Sequence, residues 1–98
     1  MKEIEIRGAE VVGADPEDVV YGFERILEMV PEPYSGAPPS DPGRMRVLEE
    51  GSRVVVESEE HGSLVVDTEG GFIYPFGPVD RIVSEMKGFI SIWGSRSE

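Results

Sequence analysis

Cysteine, asparagine and glutamine are absent from this chain of 98 residues. Without cysteine there is no disulfide framework, no thiolate metal site and no sulfur nucleophile. Histidine occurs once, as His61, in a stretch that reads as a hairpin tip. A turn tip supplies neither a pocket nor a partner acid, so His61 is read as a solvated turn residue. No serine carries a nucleophile-elbow signature, and Gly70-Gly71 has neither Walker nor dinucleotide spacing. Apolar runs long enough to span a membrane are missing, and Met1-Lys2-Glu3 does not open a signal peptide. The expectation is a cytoplasmic protein with no membrane partner. Loss of thermolabile side chains, abundant glutamate and loop prolines hint at a thermophile. The scarcity of lysine departs from that pattern, and an acid- and arginine-rich genome bias gives a similar composition.

Charge of one sign dominates what is present. Twenty acidic residues face nine basic ones, for a formal net charge of -11. Such a field repels phosphate backbones, so nucleic acid is not an expected partner. Basic protein surfaces and cations remain compatible with it. The length suits a single domain, residues 1–98, large enough for a real core.

Hydropathy patterning then places the elements. Lys2–Arg7 alternates, with Ile4 and Ile6 on one side and Glu3, Glu5 and Arg7 on the other, as in a half-buried strand. Gly8 ends this strand or forms a bulge, after which residues 9–12 continue it. Asp15 is a candidate N-cap with Pro16 at the first helical position. From there Val19, Val20, Phe23, Ile26, Leu27 and Val30 form one helical stripe, and Pro31 ends it. Residues 31–43 are a proline-rich loop in which Pro39 and Pro42 have PxxP spacing without flanking basic residues. Tyr34 is its most contact-prone side chain. Toward the C-terminus, Val79, Ile82, Val83, Met86, Phe89, Ile90 and Trp93 fit one helical face that runs through Gly88. The rival reading stops at Lys87 and makes residues 89–93 a strand. Gly94 is the expected cap, and residues 94–98 a frayed tail.

The organising stretch is residues 44–76, four antiparallel strands. A turn at Glu50-Gly51 sets Val47 opposite Val54, Met45 opposite Val56 and Arg44 opposite Glu57. A three-residue loop Glu60-His61-Gly62 sets Val56 opposite Val66 and Val54 opposite Thr68, with Gly62 in the left-handed position. A third loop, Glu69-Gly70-Gly71, points Phe72, Tyr74 and Phe76 inward, although Ile73 competes for the core. Pro75 marks an edge strand. The fold class is α+β: a mostly antiparallel sheet of four to five strands, order β-α-β-β-β-β-α, with two helices on one face and the other face open.

Three functional readings follow. The first is a non-enzymatic interaction domain whose open face docks an unidentified protein or a second copy, with Tyr34, Arg46, Val55 and Val65 in contact. The second is divalent-cation binding, since Glu57, Glu59, Asp67 and Glu69 share the outer face and hard cations take oxygen ligands. No other cofactor is expected. For the third, the order strand–helix–four strands–helix is similar to TBP-like and helix-grip folds. That resemblance implies a terminal helix across a curved sheet and an apolar ligand lined by Phe72, Tyr74, Phe76, Met86, Phe89 and Trp93.

Overall fold

The computed structural model describes residues 2–8, 10–30 and 43–96. The proline-rich loop with Tyr34, apart from Gly43, lies outside the described residues. Eight elements follow in order: β1 (Lys2–Arg7), β2 (Glu10–Val12), α1 (Pro16–Met29), β3 (Arg44–Glu50), β4 (Arg53–Ser58), β5 (Gly62–Asp67), β6 (Phe72–Phe76) and α2 (Val79–Arg96). The fold is α+β, with one open antiparallel sheet of six strands in the order β2-β1-β3-β4-β5-β6.

The sixth strand arises at Gly8. Instead of prolonging β1, the chain turns there with φ +62° and brings Val11 back opposite Ile6. Gly13 closes this return at φ +100°, where a Cβ would sit 2.6 Å from the Glu3 carbonyl oxygen. Only glycine accommodates both the torsion and the approach.

Both helices lie on the face formed by Ile4, Ile6, Met45, Val47, Val56, Leu64 and Val66, all of them buried. From α1 the core takes Val19, Phe23 and Ile26, and from α2 it takes Ile82, Val83, Met86 and Phe89. Phe23 meets Phe89 edge to face, ring centroids 5.8 Å apart, which ties the helices together. Asp15 holds the N-cap position of α1, but its side chain makes no capping bond. The second helix runs through Gly88 and past Gly94 to Arg96, so Gly94 does not cap it. Packing of the continuous apolar stripe offsets a propensity loss of about 1 kcal/mol at an internal glycine.

Three loops differ from the expected ones. Between β3 and β4 the loop is Gly51-Ser52, with Gly51 at φ +60° and Glu50 opposite Arg53. A two-residue hairpin with glycine first matches the right-handed strand twist. This moves the register by two residues, so Val47 pairs with Val56, and Arg46 rather than Arg44 faces Glu57. Between β4 and β5 the loop is Glu59-Glu60-His61, closed by the His61 N–H donating to Ser58 Oγ at 3.2 Å. Gly62 keeps its positive φ of 104° but opens β5, setting Val54 opposite Val66 and Val56 opposite Leu64. Both shifts are even, so every side chain keeps its expected face.

The third difference is odd and reverses a strand. Asp67 Oδ1 accepts the N–H groups of Glu69 and Gly70, and Gly71 at φ +75° donates back to the Asp67 carbonyl. This four-residue loop, 68–71, pairs Asp67 with Phe72 and Val66 with Ile73. Ile73 packs against the core, while Phe72, Tyr74 and Phe76 point to solvent.

Main-chain alternation fixes the outer edge. Thr68 donates to the Ser52 carbonyl at 2.9 Å, which makes Ser52 and Thr68 a bonded pair across β4 and β5. Bonded pairs recur every second residue. Phe72, Tyr74 and Phe76 therefore bond back to β5, and Ile73 and Pro75 aim their main chains at the free edge. Pro75 has no N–H to leave unpaired there.

Candidate interaction surface on the open sheet face

Alternation places Glu3, Glu5, Arg7, Arg44, Arg46, Leu48, Arg53, Val55, Glu57, Val65 and the β6 aromatics on the face away from both helices. Three rows cross it. The central row runs Leu48–Val55–Val65–Tyr74, each residue directly opposite the next. On one side lie Arg46, Glu57, Ser63 and Phe76; on the other lie Glu50, Arg53, Asp67 and Phe72. Leu48, Val55 and Val65 are half-buried by their neighbours alone. Phe72, Tyr74 and Phe76 are 57%, 52% and 65% exposed, so the apolar row widens into an aromatic patch at the β6 edge. The rings of Phe72 and Tyr74 lie 6.4 Å apart.

The β1–β3 end of the same face carries an ion-pair ladder. Glu5 Oε1 accepts from Arg7 and from Arg44, both at 2.7 Å. Arg46 reaches Glu3 at 3.3 Å and Glu57 at 3.7 Å, and Arg44 reaches Glu59 at 3.9 Å. The hydrogen bonds from Arg44 and Arg7 hold the Glu5 carboxyl below the usual carboxylate range, and Glu5 in turn raises Arg44. A shallow hollow of about 310 Å³ opens between these side chains. Its arginines are already engaged, so it is a neutralised surface rather than an anion cradle.

Of the residues expected to meet a partner, Arg46, Val55 and Val65 share this face, and Val55 lies directly across from Val65. Tyr34 lies outside the described residues. The four carboxylates expected to gather around a cation are separated. Glu57 and Glu59 sit beside the β4–β5 loop with arginines. Asp67 lies opposite Arg53 at the far end of the same strands, its carboxylate capping its own turn. Four residue steps along a strand are roughly 13 Å, too far for shared ligation. Among the described residues, no group of three or more acidic or histidine side chains is placed to hold a metal ion.

The aromatic lining expected beneath α2 is likewise divided. Met86 and Phe89 are fully buried under the helices, whereas Phe72, Tyr74 and Phe76 face the opposite way. A cleft of about 260 Å³ lies instead under α1, lined by Asp18, Arg25, Glu49 and Thr68 as well as by Phe23 and Val54.

One polar group escaped sequence reading. Glu85 on α2 is buried, and Ser58 Oγ donates to its Oε1. His61 is half-buried rather than solvated, its Nε2 3.7 Å from Glu85 and 3.8 Å from Glu60. Burial pushes the Glu85 carboxyl up, and the Ser58 hydrogen bond and the nearby imidazole only partly oppose this. The Ser58 hydroxyl donates to Glu85 and accepts from a main-chain N–H, so it is not aimed at the imidazole as a nucleophile would be. The signal was present: Glu85 falls three after Ile82 and four before Phe89, on the border of the apolar stripe. Ser58 continues the inward row of Val54 and Val56.

No helix among the described residues is long and apolar enough to cross a membrane. Comparison with protein-family models, curated proteins and solved structures finds no match for this chain.

Proposed function

We propose that the protein is a small acidic interaction domain that docks a protein surface on the open face of its sheet. The observation that carries this reading is the apolar row Leu48–Val55–Val65–Tyr74 broadening into three half-exposed aromatics, on the face neither helix covers. Aromatic side chains supply large contact area with few rotatable bonds, which suits them as anchors. The flanking arginine–glutamate pairs supply a polar rim that selects orientation more than it adds affinity. The test is amide mapping of isotope-labelled protein in buffer and in native lysate. Signals of Val55, Val65 and Tyr74 are expected to shift or broaden on association, while Glu17 and Glu24 on α1 stay put. Uniform broadening, or change confined to the helices, would remove the reading.

The cleft under α1 supports a second reading, a small amphipathic ligand held between α1 and the sheet, since Asp18, Arg25 and Glu49 line it beside the apolar side chains. Titration with indole should then move the amides of Gly22 and Thr68. Unmoved amides at saturation dismiss it.

A further inference from the structure

We infer that the partner of the open face is a second copy of this chain, stacked face to face about a two-fold axis lying along the row Leu48–Val55–Val65–Tyr74. The inference rests on the docking-face reading above and names the occupant. Rotation about that axis turns each strand over onto its own copy with direction reversed. Positions two residues before the row then fall over positions two residues after it.

The sequence is self-complementary under this operation. On β3, Arg46 falls over Glu50; on β4, Arg53 falls over Glu57; on β6, Phe72 falls over Phe76; on β5, Ser63 falls over Asp67. Along the axis Leu48, Val55, Val65 and Tyr74 each meet themselves, apolar on apolar. Two-fold symmetry repeats each off-axis contact, as an isologous interface requires. An axis along β4 instead would stack Arg53 on Arg53 and Glu57 on Glu57, and would carry Glu50 onto Asp67. Of these two axes, charge favours the one along the row. Arg53 forms no ion pair within the chain among the described residues, and Asp67 across from it is turned into its own loop. Its guanidinium is left for the other copy.

Overall charge points to the same face. A chain of net charge -11 repels its own copies. On α1, Glu17, Asp18, Glu24 and Glu28 outnumber Arg25, so contact there sets like against like. Across the three rows of β3–β6, two arginines stand against three carboxylates, close to balance. Glu3 prolongs the row onto β1 and would meet its own copy, but Arg46 pairs with it at 3.3 Å. Stacked sheets cross at roughly 30°, which opens that corner.

Sedimentation of the full chain over a concentration series, to millimolar, tests this with Arg53→Glu and Glu57→Arg, each checked for an unchanged melting curve at dilutions where the native chain is monomeric. The native chain is expected to dimerise, and each single variant to weaken the dimer by about tenfold or more. An equimolar mixture of the two variants is expected to recover it, because position 53 of one copy meets position 57 of the other. A native chain monomeric throughout overturns the second-copy inference. The docking-face reading then survives if lysate still perturbs Val55, Val65 and Tyr74. Dimers insensitive to both variants, or unrescued by mixing, overturn this two-fold arrangement. Dimers whose amide changes map to the helices overturn both.

Discussion

Ile73 lies directly across from Val66, and this one pairing decides which side of β6 is core. Ile73→Ala should cost about 1–2 kcal/mol, as removal of partly buried methyl groups does. In the dilute, monomeric chain Tyr74→Ser removes an exposed ring and should stay near 0.5 kcal/mol. Urea unfolding of both variants measures the difference. A larger loss at Tyr74 than at Ile73 would reverse the assignment of faces.

Glu85 provides a pH dependence with a definite sign. Its carboxyl is raised by burial, so the folded chain binds that proton more tightly than the unfolded chain does. The stability it contributes is therefore complete below the ordinary glutamic acid value and is lost as pH rises through the raised one. Glu85→Gln keeps a hydrogen-bond partner for Ser58 and removes the titration. The variant should melt higher than the native chain near neutral pH, and the gap should close as pH falls. A gap that does not change with pH would show that burial of the charge is not the cause.

Two glycines should respond oppositely to alanine. Gly13→Ala forces a Cβ against the Glu3 carbonyl at a torsion L-residues rarely adopt, and should cost about 2 kcal/mol or more. Gly22 sits inside α1 with no atom within 4 Å of an added Cβ. Gly22→Ala should stabilise by about 0.5–1 kcal/mol. Thermal melts of the pair settle both, and destabilisation at Gly22 would contradict the open space beside it.

Divalent cations should find no shared site between Glu57 and Asp67. Millimolar calcium or magnesium is expected to leave the amides of Glu57, Glu59, Asp67 and Glu69 without a common saturable shift, and to leave the melting temperature unchanged. A single saturable isotherm reported by both ends of the strands would show that the carboxylates do converge.

The helix stripes and the inward rows of β1, β3, β4 and β5 were legible because each is a local period. An error of two residues in pairing leaves such a period on its face, which is why Val54, Val56 and Val66 look inward despite shifted loops. Loop length was less legible. Gly51, Gly62 and Gly71 all take positive φ, but each can serve in more than one loop type, and at Gly71 the extra residue inverted a strand. The return of residues 10–12 beside β1 rests on pairing with Glu5, Ile6 and Arg7, which a three-residue strand is too short to signal by its own alternation. Glu85 escaped for a different reason: a lone carboxylate at a stripe border reads as solvated until Ser58 and His61 arrive from the sheet. On the open face, alternation places Arg46, Val55 and Val65 from the sequence, whereas the outward turn of Phe72, Tyr74 and Phe76 depends on the length of the loop before them.

Pro75 has a consequence for how far association can go. With its nitrogen toward the open rim, the last strand offers Ile73 as its single amide hydrogen between Phe72 and Phe76, too little to template another ribbon. Growth by strand addition stops at that rim. The proposed stacking about a two-fold axis would use that surface up in each copy, so association through it would stop at a pair.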